Sequence, residues 1–297
     1  GTLDPMATGV LPICIGPATR LDKYMVGHDK TYRATITFGS QTNTDDAKGE
    51  VVKQAFVPTE IGERDFALGV LQGLVGVHMQ VPPAFCAVKI NGQPAYKRMR
   101  AGEEVELEAR QIEVYSAELV NFTEASSVDG SHDSVSWIVD LSVSKGTFIR
   151  SIARDLGQQL GTCAHLSGLA RMSAGGISLD ECVSLESLEN LKESAALDPV
   201  RVLGFRFAYA DNRADSVSNG AALSPDDVTL YESLASEADD SLCACCATEL
   251  AKSQTPPVDG ELICVLVENK LKGVYRYDSR YRCWKSDCVF AVGVSRG

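Results

Sequence analysis

Asp4 is the residue best placed to do chemistry. It lies in the opening run Gly1–Pro12, GTLDPMATGVLP, directly before a proline. A residue before proline is pushed towards an extended or turn backbone, and Pro5 suits the first position of a helix. An aspartate just ahead of such a helix caps its free N–H groups. The same geometry also holds a carboxylate in one orientation, as a carboxylate nucleophile requires. Local physics leaves both uses open. Arg150 is the second candidate: it falls in the first turn of an expected helix, where the dipole disfavours a cation. A carboxylate or phosphate partner is therefore expected. Tyr32 is the third, on the apolar side of an expected strand, where a core tyrosine with a satisfied hydroxyl is the ordinary reading.

Other polar groups read more plainly. Asp45 and Asp46 sit in the polar stretch Gly39–Gly49 and read as a solvated turn rather than a metal site. His165 reads as structural. The ten cysteines are scattered and read as buried thiols. Cys243, Cys245, Cys246, Cys283 and Cys288 lack the paired spacing of a zinc site. No metal is expected.

The elements that would position these residues follow from periodicity. Thr31–Phe38 alternates, with Tyr32, Ala34, Ile36 and Phe38 on one face; Val135, Trp137, Val139, Leu141 and Val143 do the same. Phe66, Val70, Leu71 and Leu74 follow helical spacing up to Gly76. Ile149, Ile152, Ala153, Leu156 and Leu160 form a second helical stripe, with Gly161 as its stop. Val81–Lys89 leads to the tight-turn pair Asn91-Gly92 and then to Tyr96–Arg100. Ser187–Pro199 reads as a short helix and linker. Leu262–Val267, Gly273–Tyr277 and Val289–Val294 read as strands of a small β-rich domain. Residues 224–260 read as an acidic insertion with little periodicity. The mixture of helices and strands reads as an α+β protein, and the length allows one large domain plus a small one.

The chain has 297 residues, 44% hydrophobic and 23% charged, with a net charge of −12. It contains no apolar run long enough for a membrane helix and no secretory leader pattern, so a cytoplasmic protein is expected. The acidity is uneven: residues 1–175 carry 16 Lys+Arg against 20 Asp+Glu, and residues 176–297 carry 12 against 20. An acidic total is compatible with nucleic-acid binding if a local face is basic. Lys89, Lys97, Arg98 and Arg100 form one cluster; Lys145, Arg150, Arg154 and Arg171 form another. The net charge by itself argues mildly against nucleic-acid binding, and binding at so weakly basic a face would be strongly salt-sensitive.

Gly1–Lys23, GTLDPMATGVLPICIGPATRLDK, resembles the catalytic motif of the TruB family of tRNA pseudouridine-55 synthases. Lys30–Arg33, Gly39–Gly49, Val81–Lys89 and Ser144–Gly157 resemble family segments in the family's order, covering most of the first 175 residues. The resemblance implies a catalytic domain over 1–200, built on a mixed, mainly antiparallel sheet flanked by helices, and a PUA-like carboxyl-terminal domain over 201–297. It implies that Asp4 is the nucleophile, that Arg150 pairs with it, and that Tyr32 stacks on the target base. Phe148, where the family usually has Tyr, and Leu169 would line the base pocket. The segment at about 78–104 would be a mobile thumb, with Lys89, Lys97, Arg98, Arg100 and Lys145 on phosphates. The implied reaction converts a uridine of the tRNA T stem-loop to pseudouridine without cofactor or guide RNA, in a monomer. The alternative is a catalytically impaired RNA-binding or folding-helper protein. In the family, a strand and a Lys-x-Gly-His run precede the motif, so the chain reads as truncated at its amino terminus.

Overall fold

The computed structural model describes residues 2–90, 92–103, 105–125, 134–234 and 251–296. In chain order the first elements are β1 (Thr8–Gly9), α1 (Asp22–Met25), β2 (Lys30–Phe38), β3 (Ser40–Thr42), β4 (Val51–Gln54), α2 (Arg64–Leu74) and β5 (Gly76–Gln80). There follow β6 (Lys89–Ile90), β7 (Gln93–Pro94), α3 (Ala95–Arg100), β8 (Arg110–Ala125), β9 (Ser134–Val143), α4 (Ile149–Gln159) and β10 (Ala164–Ala174). The remainder comprises β11 (Ile177–Ser178), α5 (Leu185–Leu191), α6 (Pro199–Leu203), β12 (Arg206–Tyr209), α7 (Ala214–Ser218), β13 (Thr229–Tyr231), β14 (Leu262–Val267), β15 (Lys270–Asp278) and β16 (Cys283–Val294). This is an α+β protein of two compact units, one of residues 1–11 and 27–174, the other of 12–26 and 175–297. The boundary expected at residue 200 falls inside the second unit.

The first unit is built on strands in the order β1-β10-β2-β9-β8-β5. Every neighbouring pair is antiparallel except β1 with β10. Alternation has the consequence it should: Ala34, Ile36 and Phe38 of β2 and Val135, Trp137, Val139, Leu141 and Val143 of β9 are all buried. Ile36 lies opposite Trp137 in the register, and the Phe38 and Trp137 rings meet edge-to-face at 4.7 Å. The indole N–H donates to Ile61 O at 2.8 Å, which satisfies a polar atom buried among apolar side chains.

Helices α2 and α4 contribute to this core. In α2 the buried residues are Ala67 and Leu71, with Val70 and Leu74 packed beside them. Phe66, expected in the stripe, is 37% exposed instead. The stripe is turned by one residue, because Ala67 and Leu71 lie four apart and share a face that Phe66 flanks. In α4 the stripe Ile149, Ile152, Ala153 and Leu156 is buried as expected, and so are Arg150, Ser151 and Gly157. Gly161 follows with φ of +70°, its N–H donating to Gln158 O at 3.2 Å, as a left-handed helix stop does.

The second unit holds a sheet of order β13-β12-β14-β15-β16, antiparallel apart from β12 with β14. Phe207, Leu266, Tyr275, Trp284 and Phe290 fill its two faces. Residues 12–26 belong here. Leu21 is buried in the same cluster as Phe207 and Phe290, and Lys23 pairs with Asp287 of β16 at 2.6 Å. Residues 235–250 of the expected acidic insertion, including Cys243, Cys245 and Cys246, lie outside the described residues.

Candidate active site

The backbone around Asp4 is fixed before its side chain is considered. Ala7 N–H donates to Asp4 O at 2.8 Å, closing a turn with Pro5 at its second position. The helix-cap reading of Asp4 is thereby corrected: the chain makes one turn and enters β1, so no helix follows to be capped. β1 runs parallel to Ala170–Arg171 of β10, and Val10 N–H donates to Arg171 O at 2.9 Å. Gly9 has φ of +97°, and a Cβ there would lie 2.2 Å from Arg171 O. Only glycine allows this approach.

The Asp4 carboxylate meets Arg150. Arg150 Nε lies 2.9 Å from Asp4 Oδ2, and Nη2 lies 3.2 Å from Oδ1, a two-pronged pair. Nη1 donates to Thr44 O at 3.1 Å and to Phe85 O at 3.2 Å, and Nη2 donates to Phe85 O at 3.2 Å. All five donors of the guanidinium are therefore engaged. The Arg150 side chain is only 6% exposed, while that of Asp4 is 35% exposed. The arginine is consumed by the protein, and the carboxylate keeps an open side. The expectation of an anionic partner for a cation in the first turn of α4 is met by Asp4.

Asp45 and Asp46 depart from the sequence reading. They are 7% and 6% exposed, buried rather than solvated. Asp45 Oδ2 lies 3.1 Å from Arg154 Nη1, and Asp46 Oδ2 lies 3.8 Å from Arg150 Nη1. Asp46 Oδ1 also accepts from Thr44 Oγ1 at 2.7 Å and Lys48 N–H at 2.9 Å. Burial pushes the Asp45 carboxyl above its ordinary value, with the Arg154 charge opposing. The loop turns inward because α4 presents two cations one helical turn apart, and buried cations need counter-charges.

Tyr32 lies opposite Arg171 in the β2–β10 register. Burial raises its phenol above the ordinary value; a hydrogen bond and charge from Arg171 work the other way, and the charge of Asp4 adds to the rise. The ring packs partly buried against the sheet core, as does Leu169. Phe148 is the residue before α4. Its N–H donates to Gln80 Oε1 at 2.9 Å and its carbonyl accepts from Gln80 Nε2 at 3.1 Å.

The expected cations separate into two groups. Lys89, Lys97 and Lys145 are exposed, and Arg98 is half-buried and paired with Glu103 at 2.6 Å. The side chain of Arg100 lies outside the described residues. Arg150, Arg154 and Arg171 are not a phosphate-facing cluster: each is turned inward, onto Asp4, onto Asp45 and Val81 O, and onto backbone carbonyls respectively. His165 bonds to Ser40 through Nδ1, in keeping with a structural part. The sequence reading missed Thr44, Gln80 and Phe85, whose contribution is a carbonyl or amide placed by the fold and leaves no periodic signal, and it read as solvated the Asp46 carboxylate that faces Arg150. No cluster of metal-ligating side chains occurs among the described residues.

Residues 1–149 match the model of the TruB family pseudouridylate synthase N-terminal domain, and residues 150–201 match the tRNA pseudouridylate synthase B C-terminal domain. The chain belongs to the TruB family. That family is one of enzymes that isomerise uridine to pseudouridine. Relatives named tRNA pseudouridine synthase B include one from Chromobacterium violaceum, 43% identical over 70% of this chain and 64% of its own length. Another, from Bacillus pumilus, is 40% identical over 75% and 72%. A third, from Geobacillus thermodenitrificans, is 37% identical over 75% and 74%. The chain thus spans about two thirds to three quarters of these TruB relatives. Among solved structures, a chain of an H/ACA RNP bound to a substrate RNA containing 2′-deoxyuridine aligns with TM-score 0.60 at 19% identity, over 98% of this chain and 74% of that one. A chain of a Cbf5-Nop10-Gar1 complex aligns with TM-score 0.58 over the same shares. At that identity the likeness concerns the fold.

Proposed function

We propose that this chain converts a uridine in the T stem-loop of tRNA to pseudouridine, with Asp4 as the nucleophile. The observation that carries the reading is the two-pronged Arg150–Asp4 pair, in which a saturated guanidinium presents a carboxylate with an open side. The reaction breaks the C1′–N1 bond, turns the uracil and forms a C1′–C5 bond; a proton leaves C5 and one is taken up at N1, so the product is an isomer of the substrate. Nothing is oxidised or reduced, so no cofactor is needed. Asp4 bonds transiently to the nucleoside, at the base or at the ribose. The uridine is flipped from its stack to reach it. Tyr32 stacks on the base and Arg150 orients the nucleophile, with Phe148 and Leu169 lining the pocket. Lys89, Lys97, Arg98, Arg100 and Lys145 hold phosphates without reading sequence.

The protein acts as a cytoplasmic monomer and without a guide RNA. No helix among the described residues is long and apolar enough to cross a membrane. Incubation with an unmodified tRNA transcript, followed by nucleoside analysis, tests the whole reading. One pseudouridine in the T loop is expected from the parent chain and none from Asp4→Ala. Binding without product in both would favour a folding-helper role.

A further inference from the structure

Arg171 carries a charge where the sheet could have used an apolar residue. It is 4% exposed, and among the described residues no carboxylate lies within ion-pair distance of it. An interior cation without a counter-ion is expensive to keep unless backbone dipoles and hydrogen bonds surround it. Its acceptors are specific. Nε donates to Val10 O at 2.6 Å and Nη1 to Thr2 O at 3.3 Å. Arg171 also stands opposite Tyr32 in the β2–β10 register, where its charge works against the rise that burial gives the phenol. Thr2 and Val10 bracket Asp4, the first two residues before it and the second six after. One guanidinium therefore joins both ends of the nucleophile's loop to the residue expected to face the base.

We infer that Arg171 is a positioning residue: it sets the Asp4 turn and the Tyr32 phenol in a common frame. This rests on the assignment of Asp4 and Tyr32 in the proposed function. The planar fork is what makes it possible, since carbonyls at the two ends of one loop need donors fixed in different directions. A lysine in its place keeps the charge and loses the bridging. The main-chain bond from Val10 N–H to Arg171 O is independent of the side chain, so β1 remains attached in a variant.

The test compares Arg171→Lys and Arg171→Met with the parent chain on a tRNA transcript, with folded fraction measured for each. The expected result for Arg171→Met is a fall in kcat per folded molecule of about 100-fold, the scale of a misplaced reacting group, with KM changed less than about threefold. Arg171→Lys is expected to keep the parent's ultraviolet tyrosine titration near Tyr32, read against Tyr32→Phe, yet recover only part of kcat. In Arg171→Met the Tyr32 titration moves upward, because the group opposing its burial is gone. A kcat per folded molecule within about threefold of the parent in both variants would overturn the inference. Should the parent form no pseudouridine, the assignment of function fails by itself, and two other readouts decide Arg171. These are the Tyr32 titration and amide hydrogen exchange over Thr2–Val10, expected to quicken in Arg171→Met. If neither moves, the inference is wrong.

Discussion

At the scale of single residues, the chemistry depends on how charge is distributed between Asp4 and Arg150. Arg150 spends every donor inside the protein, so its replacement removes more than one ion pair. Arg150→Met leaves Asp46 buried beside an apolar chain and frees the carbonyls of Thr44 and Phe85. Loss of one partner of a buried pair costs about 3–5 kcal/mol, and chemical denaturation of the variant is expected to show a drop of that size. Gly9→Ala is expected to be similarly damaging for a different reason. Its Cβ would stand 2.2 Å from Arg171 O at a φ of +97°. Overpacking against backbone costs about 3 kcal/mol, and activity should fall further than stability because β1 carries the Asp4 turn. Equal stability of Gly9→Ala and parent in urea would refute that close approach.

At the scale of elements, α4 is the organiser. Within six residues it supplies Arg150 to the Asp4 turn, Ser151 and Arg154 to Val81 O, and Arg154 to Asp45 of the β3–β4 loop. Its far end is pressed on β10 at Gly157, where a Cβ would lie 2.4 Å from Ala164 N. Gly157→Ala is therefore expected to cost about 3 kcal/mol, although alanine is the better helix former. A melting temperature equal to or above the parent's would contradict the packing described. The segment from β6 to α3 makes a different kind of contribution. Lys97 is exposed there. If it holds a phosphate, Lys97→Ala should weaken RNA binding uniformly across loop sequences and lower the salt slope by about 0.7–0.9. Filter binding at several salt concentrations measures both.

At the scale of the whole molecule, residues 12–26 are fastened into the second unit by the burial of Leu21 and by a shared carboxylate. Asp287 accepts from Lys23 at 2.6 Å, from Arg276 at 3.2 Å and from the Tyr24 hydroxyl. Burial works to raise Asp287, and the hydrogen bonds from Lys23, Tyr24 and Arg276 outweigh it, holding the group at about 2. A depressed carboxyl stabilises the fold above its unfolded value near 3.8, and that contribution is lost as pH falls towards about 2. After allowance for solvent screening it is on the order of 1 kcal/mol. Asp287→Asn should thus be less stable than the parent at pH 6, and the gap should close between pH 4 and pH 2. A gap independent of pH would show that the Asp287 charge is not what fastens this segment.

Much of the frame was legible in the chain. The alternation of Tyr32–Phe38 and of Val135–Val143 specified two central strands, because a period of two with large apolar residues has one way to be buried. The stripe from Ile149 to Leu156 specified α4, and the GTLDP run with its neighbours specified the family. Periodicity reports which face of an element is dry; it carries no word about which distant groups meet there. Tertiary structure alone decided that Asp4 closes a turn instead of capping a helix, and that Asp45, Asp46, Arg154 and Arg171 point inward instead of to solvent. A charge is buried only when partners remote in sequence arrive together. Arg150 gathers atoms from residues 4, 44, 46 and 85, and Arg171 gathers atoms from residues 2 and 10 while facing residue 32 across the sheet. That convergence exists once the sheet has formed, and not before.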